Sequence, residues 1–594
     1  MSRHTYDYGV IGNCGFTAHI HKDTNVSWMC MPRFDSSFLF GSMLDTKKGG
    51  EFAIQTDRDR FHTRQYYIEN TNVLCTEVES HDCKFRVTDC APRFEQYDRY
   101  FRPMMLIRKV EPLEGSPRIK VNCRPVYEYG KRELKKTMGS NHIRYLGLDT
   151  EVRLTTNFSL NYIMEDEYFI LNETKYLVFT YGPPLEAPVP ATCETFINQT
   201  INYWRKWVKS TSISNMYQQQ MIRSALALKI HQFEDTGAII ASCTTSLPES
   251  DGSTRNWDYR FCWMRDTFYT LNAFNSIGHF EELEQYFNYI LNITYLATDR
   301  MQPLYGITGE QKLTETTLEL EGYLGRNKPV RVGNDAYTHI QNDVYGQVLV
   351  SLLPLFVDNR FNVRERIESA SIVNKMLDLI ELTIDEPDAG LWEFRNMKQY
   401  HCYTSLFHWA GACAAIKVAK EMGDHNMGQK AVNLRDKARF KIEACYVPGK
   451  KGYGQAEGVD RMDASTLQLL MMNYLDGNSD AAKNHLRALE RELKASDGLF
   501  YRYRHKDDFG EPETTFLICG FWYVEALTCV NRIDEAMGIL ENLMGYANHV
   551  GLLSEDVSEK DGGMWGNFPQ AYSHVGLINA VKRIGRKLDR PNFL

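Results

Sequence analysis

The residues best placed to do chemistry in this chain are two glutamates roughly 160 positions apart, Glu393 in Gly390-Leu391-Trp392-Glu393-Phe394-Arg395 and Glu555 in Gly551-Leu552-Leu553-Ser554-Glu555-Asp556. Two carboxyl groups kept in unlike surroundings can serve as one acid and one base at a single pH, which is what cleaving the acetal between two sugars requires. Glu393 follows a turn at Asp385–Gly390 and stands between two aromatics. Desolvation there would disfavour its charged form and suit it to donate a proton. Glu555 precedes the glycine-rich Asp561-Gly562-Gly563-Met564-Trp565-Gly566-Asn567 and a helix entered through Pro569. Such a loop lets backbone come close to a ligand, and a polar setting would leave Glu555 ionised as a base. Taken alone, each stretch fits a solvated acidic turn equally well.

A third stretch is denser. Ser246-Leu247-Pro248-Glu249 leads into Arg255-Asn256-Trp257-Asp258-Tyr259-Arg260-Phe261-Cys262-Trp263-Met264-Arg265-Asp266. Aromatic faces that stack on the C–H faces of a sugar alternate here with guanidinium and carboxylate groups that hydrogen-bond its hydroxyls. A structural ion-pair cluster packed on aromatics would have the same composition. Arg502-Tyr503-Arg504 and Gln341-Asn342-Asp343 carry weaker signals of the same kind.

Composition excludes several classes. The chain has 594 residues, 43% hydrophobic and 24% charged, values of a globular protein too long for one ordinary core. No run of about 18 apolar residues predicts a membrane span, and His4, Asp7, Tyr6 and Tyr8 interrupt any secretory apolar stretch, so a cytoplasmic protein is expected. The fourteen cysteines are irregularly spaced and read as reduced thiols. No CxxC or HExxH occurs, and Cys75, Cys83 and Cys90 are too far apart for finger-type ligation, so neither a metal nor another cofactor is expected. A net charge of −8 with both signs evenly mixed offers no stripe for nucleic acid and points to a small neutral partner.

The elements that must position these residues change character along the chain. Phe85–Thr88, Met105–Val110 and Arg118–Cys123 are rich in apolar and β-branched residues, and the last alternates polar with apolar, predicting an antiparallel β domain. From about Thr195 helical spacing takes over, with amphipathic stretches at 217–233, 265–295, 340–356, 366–384, 404–421, 463–475, 480–494, 516–530, 533–546 and 569–585. Helices joined by loops of very uneven length suggest a ring of helical hairpins whose site is built from the loops at one end. The expected division is a β-sandwich over 1–195, a linking helical region over 196–220 and an (α/α) barrel over 221–594.

Across nearly its whole length the chain resembles the glucoamylase and trehalase family of inverting glycoside hydrolases in its intracellular bacterial and archaeal form. The matching stretches are Ile11–Cys14, Trp28–Asp35, Arg255–Asp266, Glu321–Tyr323, Pro329–Asn334, Gly390–Arg395, Asp463–Ser465, Phe521-Trp522, Gly566–Gln570 and Ser573-His574. The resemblance implies an N-terminal antiparallel β-sandwich followed by a six-hairpin (α/α) barrel. It implies Glu393 as general acid and Glu555 as general base. Arg265 and Asp266 would hold the terminal glucose, with Trp263, Leu391 and Trp392 lining the same subsite, and Trp257 and Arg502 joining the sugar contacts. One departure is Leu406, where many relatives carry lysine after the serine. The expected reaction is exo-hydrolysis of α-glucosides with release of β-glucose from the non-reducing end of malto- or isomalto-oligosaccharides. Trehalose hydrolysis is the alternative, and phosphorolysis a further one that needs no second carboxylate.

Overall fold

The computed structural model describes residues 3–588 apart from 298 and 362. Up to Tyr181 most of the regular structure is antiparallel strand. Eight strands form one sheet in the order Lys135–Met138, His142–Leu146, Val152–Thr156, Lys175–Tyr181, Met105–Glu114, Lys84–Cys90, Leu74–Glu79 and His62–Tyr67. A four-stranded sheet comprises Tyr8–Gly12, Thr17–His21, Val26–Cys30 and Phe38–Phe40, and a three-stranded one joins Phe169–Ile170, Arg118–Arg124 and Glu51–Thr56. Their inner faces meet in one apolar cluster containing Ile20, Phe40, Phe52, Leu106, Val121 and Phe179. The alternation read in Arg118–Cys123 is the reason: Ile119, Val121 and Cys123 are buried, while Arg118 and Arg124 are exposed.

After a short helix α1 (Leu160–Met164) and the long α2 (Val189–Lys209), the chain is helical. Twelve helices make the ring: α3 (Gln218–Ile230), α4 (Thr267–Ile277), α5 (Phe280–Leu296), α6 (Asp343–Val357), α7 (Val363–Thr383), α8 (Cys402–Met422), α9 (His425–Glu443), α10 (Gln468–Met471), α11 (Asp480–Leu493), α12 (Leu517–Cys529), α13 (Ile533–Met544) and α14 (Ala571–Lys587). The even-numbered helices pack in sequence, α4 on α6, α6 on α8, α8 on α10, α10 on α12, α12 on α14 and α14 back on α4, closing an inner ring. The odd-numbered ones lie outside them. Inner helices are buried nearly all round, as α12 shows with every residue from Leu517 to Thr528 buried. Outer ones keep a single apolar stripe, such as Ala482, Leu486, Leu489 and Leu493 on α11.

Three differences from the sequence reading have local causes. The stretch 265–295 is two helices, broken where Gly278 takes φ +81° and reverses the chain. The stretch 463–475 is a short 3-10 turn and the four-residue α10. Helix α9 was not expected, because its buried stripe of Met427, Ala431, Leu434, Ala438 and Ile442 includes two alanines and runs through a highly charged segment. Among the described residues no helix is long and apolar enough to cross a membrane.

The two layers are bolted together by buried polar groups. Trp28 Nε1 donates to the Cys243 carbonyl at 2.8 Å, and the guanidinium of Arg260 reaches from Asp258 across to the Ser36 carbonyl at 2.8 Å and the Tyr129 hydroxyl at 3.1 Å. Within the barrel, Lys229 of α3 and Glu282 of α5 form an ion pair of 2.9 Å, both almost fully buried, and Trp207 of α2 donates to the same carboxylate at 2.7 Å. Burial opposes the charge on Glu282, but the Lys229 ammonium holds its carboxyl down at about 2. A buried pair that loses one member strands the other charge, at a cost of about 3–5 kcal/mol. Glu282→Ala should therefore destabilise the protein by about that amount in chemical denaturation, and a loss below about 1 kcal/mol would show that Lys229 finds water or another partner.

Candidate active site

The loops that enter the inner helices all arrive at one end of the ring. Trp263, Arg265 and Asp266 stand just before α4, Leu391 to Arg395 before α8, Arg502 and Phe516 before α12, and Glu555 and Gln570 before α14. Together they line one cavity, with about 870 Å³ of space between atoms counted out into open solvent. Every residue expected to bind or react, namely Glu393, Glu555, Trp257, Trp263, Arg265, Asp266, Leu391, Trp392 and Arg502, lines this one cavity.

Glu393 is placed by a tightly folded loop. Gly390 takes φ +68° and Glu393 itself φ +62°, a left-handed conformation that costs a side-chain-bearing residue about 1 kcal/mol or more. Asp388 holds the turn, accepting from the Asn342 N–H at 2.8 Å, the Thr404 hydroxyl at 2.8 Å and the Gly390 N–H at 3.2 Å. The Glu393 carboxylate accepts from Trp263 Nε1 at 2.7 Å and from Arg265 at 3.2 Å. Arg265 also donates to the Leu391 carbonyl at 2.8 Å and to Asp266 at 3.0 Å. Burial pushes the Asp266 carboxyl up, against the pull of Arg265. The Trp392 indole turns away from Glu393 and donates to Asp463 at 2.9 Å.

Glu555 lies deeper. It accepts the backbone N–H of Asn567 at 3.2 Å, and the nearby Tyr259 hydroxyl favours its charged form. Glu249 and Asp556 stand beside it, each of the three offering an oxygen within 4.8 Å of the others. That spacing could accommodate a cation, but Arg502 binds Glu249 directly and Arg255 lies 3.8 Å from it. Burial first, then the negative charge of Glu249, pushes Glu555 up to about 7. The same two causes push Asp556 well above the carboxylate range.

This reverses the burial expected from sequence. The aromatic neighbours of Glu393 were expected to desolvate it, yet its side chain is 22% exposed and faces an indole N–H and a guanidinium, because the Trp392 and Phe394 rings pack against Tyr503 and His401 instead. Glu555, expected in a polar setting, is 3% exposed. Tyr259, Glu249 and Asn567 were not singled out as site residues, although Tyr259 and Glu249 belong to the dense stretch beginning at Ser246.

The β domain holds the Glu555 side of the cavity in place. Tyr6 donates to the Gly566 carbonyl at 2.7 Å, the Met564 N–H reaches the His4 carbonyl at 2.9 Å, and His19 Nε2 donates to the Phe568 carbonyl at 2.9 Å. Burial drives the His19 imidazole down to about 3, so it is neutral, with Nε2 carrying the proton. The pinned loop passes so close to Glu555 that a Cβ on Gly566 would lie 2.5 Å from both the Glu555 Cβ and its carboxylate, at a φ of +77°.

An antiparallel β domain set on a six-hairpin barrel, with two separately held carboxyl groups in an aromatic and guanidinium-lined cleft, defines a glycoside hydrolase. Residues 215–582 match the glycosyl hydrolases family 15, and residues 4–168 match the trehalase-like N-terminal domain. A trehalase of Thermoplasma acidophilum is 32% identical over 94% of this chain and 96% of its own length. One of Mycobacterium tuberculosis is 28% identical over 98% of this chain and 89% of its own. A bacterial glucoamylase complexed with acarbose has the same fold, with a TM-score of 0.72 over 99% of this chain and 95% of that one at 14% identity. The chain belongs to glycosyl hydrolases family 15.

Gly566→Ala should lower kcat by at least about 100-fold, because the added methyl displaces Glu555, a misplacement of the kind that costs that much. Tyr6→Phe, which frees the same loop from the β domain without filling space, should lower kcat with a smaller effect on KM. Unchanged kcat in both variants would show that the loop does not govern the position of Glu555.

Proposed function

We propose that this enzyme is a trehalase that hydrolyses α,α-trehalose by a single inverting displacement, with Glu393 as acid and Glu555 as base. The observation that carries the reading is the meeting of these two carboxyl groups, with no shared partner, in one cavity lined by Arg265, Asp266, Trp263 and Trp392. The choice of trehalose over the malto- and isomalto-oligosaccharides first expected is supported by relatives named trehalases that match almost the entire chain, and by the trehalase-like N-terminal domain.

In this mechanism Glu393 gives its proton to the bridging oxygen while Glu555 takes one from a water that attacks the anomeric carbon from the opposite face. A carboxylate raised to about 7 is a stronger base than an ordinary one and is about half ionised at neutral pH. Tyr259 and the Asn567 amide orient Glu555, and Arg265 with Asp266 grips hydroxyls of the glucose whose bond is cut. A second carboxylate poised as a base favours water over phosphate as the nucleophile.

Inversion at one ring of trehalose leaves the other as it was, so proton NMR at early times should show α- and β-glucose in equal amounts. Two α products would mean retention and would overturn the mechanism. Glu393→Gln or Glu555→Gln should lower kcat by about 10²–10⁴, and a variant of near-normal activity would remove its residue from the role given to it. Activity should fall as pH drops through about 7 and Glu555 takes up a proton. Glu249→Gln removes the neighbouring negative charge, so Glu555 should ionise more readily and the acid limb of kcat/KM should move to lower pH. A limb that stays in place would assign it to another group.

A further inference from the structure

Beyond the two carboxyl groups, Trp257, Arg395 and Phe509 line the cavity and belong to a closed circuit of side chains. Trp257 meets Phe509 edge to face, with ring centroids 5.2 Å apart. Arg395 lies 5.0 Å over the other side of that contact, on the Phe509 ring. Arg395 then pairs with Glu315 at 3.7 Å, Glu315 with Arg331 at 3.0 Å, and Arg331 lies 5.8 Å over the Trp257 ring. The five side chains come from four different loops, so this collar is made only when all four are in place. Phe509 is its one member contributed by the short segment at 507–510.

That segment is built to project. Asp507 and Gly510 exchange backbone hydrogen bonds of 3.1 and 3.3 Å, with Gly510 at φ +98°, making a tight reversal whose tip is Asp508-Phe509. Asp507 anchors its base, accepting from the Tyr503 hydroxyl at 2.5 Å and from Arg255. Asp508 fastens its tip to the loop of Glu393: it accepts from the Arg395 N–H at 2.6 Å, the Asn396 N–H at 3.3 Å and the Asn396 side-chain amide at 2.7 Å. Three donors from one loop converge on one carboxylate of another, and little else joins the tip to that loop except the Arg395–Phe509 contact.

We infer that Asp508 is a specificity-determining latch, which clamps Phe509 across the mouth so that the cavity admits one sugar beyond the bond to be cut and excludes a second. Behind the collar, His339 lines the cavity with a buried Nδ1 that has no hydrogen-bond partner among the described residues, a group free to bond a hydroxyl of the leaving sugar. Phe509, held against Trp257 and Arg395, is the group that a further ring would meet. The preferred substrates are thus disaccharides, a conclusion that rests on the glycosidase reading above but not on which disaccharide is cut. The latch also ties the lid to the backbone two residues after Glu393, so opening it loosens the loop that presents that carboxyl.

The test compares each of trehalose, maltose and isomaltose with the same sugar lengthened by one glucose on the leaving side: the trisaccharide α-maltosyl α-glucoside for trehalose, maltotriose for maltose and isomaltotriose for isomaltose. For whichever disaccharide the wild type cleaves, its lengthened form should be cut at least tenfold less efficiently in kcat/KM. Asp508→Ala should raise the trisaccharide-to-disaccharide ratio at least tenfold, and Phe509→Ala, which removes the plug and leaves the latch, should raise it too. Amide hydrogen exchange at Arg395 and Asn396 should quicken in Asp508→Ala and not in Phe509→Ala. A wild type that cuts the two lengths equally, or a ratio unchanged in both variants, overturns the latch. Cleavage of maltose but not trehalose overturns the choice of substrate and leaves the latch to be judged by its own ratio, and a wild type that cleaves no disaccharide overturns both.

Discussion

The site depends first on a single buried guanidinium. Arg265 joins the loop before α4 to the loop before α8 through three acceptors, Asp266, the Leu391 carbonyl and Glu393. Without it, two carboxyl groups would face each other in a desolvated corner, and the loop of Glu393 would lose the contact that offsets its left-handed turn. The arginine fixes geometry and charge together, because a planar fork can satisfy acceptors in several directions only if all of them are placed correctly. Its neighbour Trp263 adds a fourth fixed donor, so Glu393 is held from one side and left open on the other, toward the cavity.

The barrel supplies such corners because its inner helices begin where the site is. Each inner helix brings the positive end of its dipole and the loop just before it to the same end of the ring, so side chains far apart in sequence converge. Half of the arrangement nonetheless comes from outside the barrel. The loop at 564–568 reaches Glu555 through the Asn567 amide and is itself held by Tyr6, His4 and His19 of the β domain. The β domain is in this sense part of the active site without touching the cavity, and the two domains are one catalytic unit.

What could be read from sequence was what depends on local pattern. Alternation in Arg118–Cys123 is written by burial on one face, and the three-and-four spacing in Tyr217–Phe233 marks a helix whose second half is buried all round; both elements are where the pattern put them. The nine cavity residues came from short stretches in which aromatic and charged types are mixed, and they share one space because the helix starts bring those stretches together. What could not be read was environment. Whether Trp392 packs on Glu393 or turns to Asp463 is decided by a residue 71 positions away, and the neighbour that raises Glu555 is Glu249, 306 positions before it. The lid is hidden for a plainer reason. Asp507-Asp508-Phe509-Gly510 has the composition of any surface turn, and only its contacts with Trp257 and Arg395 show what it covers.

In the proposed mechanism the acidic cluster explains how a buried glutamate can act as a base. Burying a lone carboxyl drives it toward the neutral form, and a second carboxyl beside it drives it further. Here Arg502 and Arg255 face Glu249, but Arg255 is shared with Asp507, so the two guanidiniums do not balance the carboxyl groups of Glu249, Glu555 and Asp556. Burial and the charges of Glu249 and Glu555 push Asp556 up as well, and its Oδ2 has no hydrogen-bond donor among the described residues. Glu555 has the Asn567 N–H and the Tyr259 hydroxyl near it, groups that favour the anion and limit its rise to about 7. The burial that would otherwise disable Glu555 thus sets its strength as the base of the proposed mechanism.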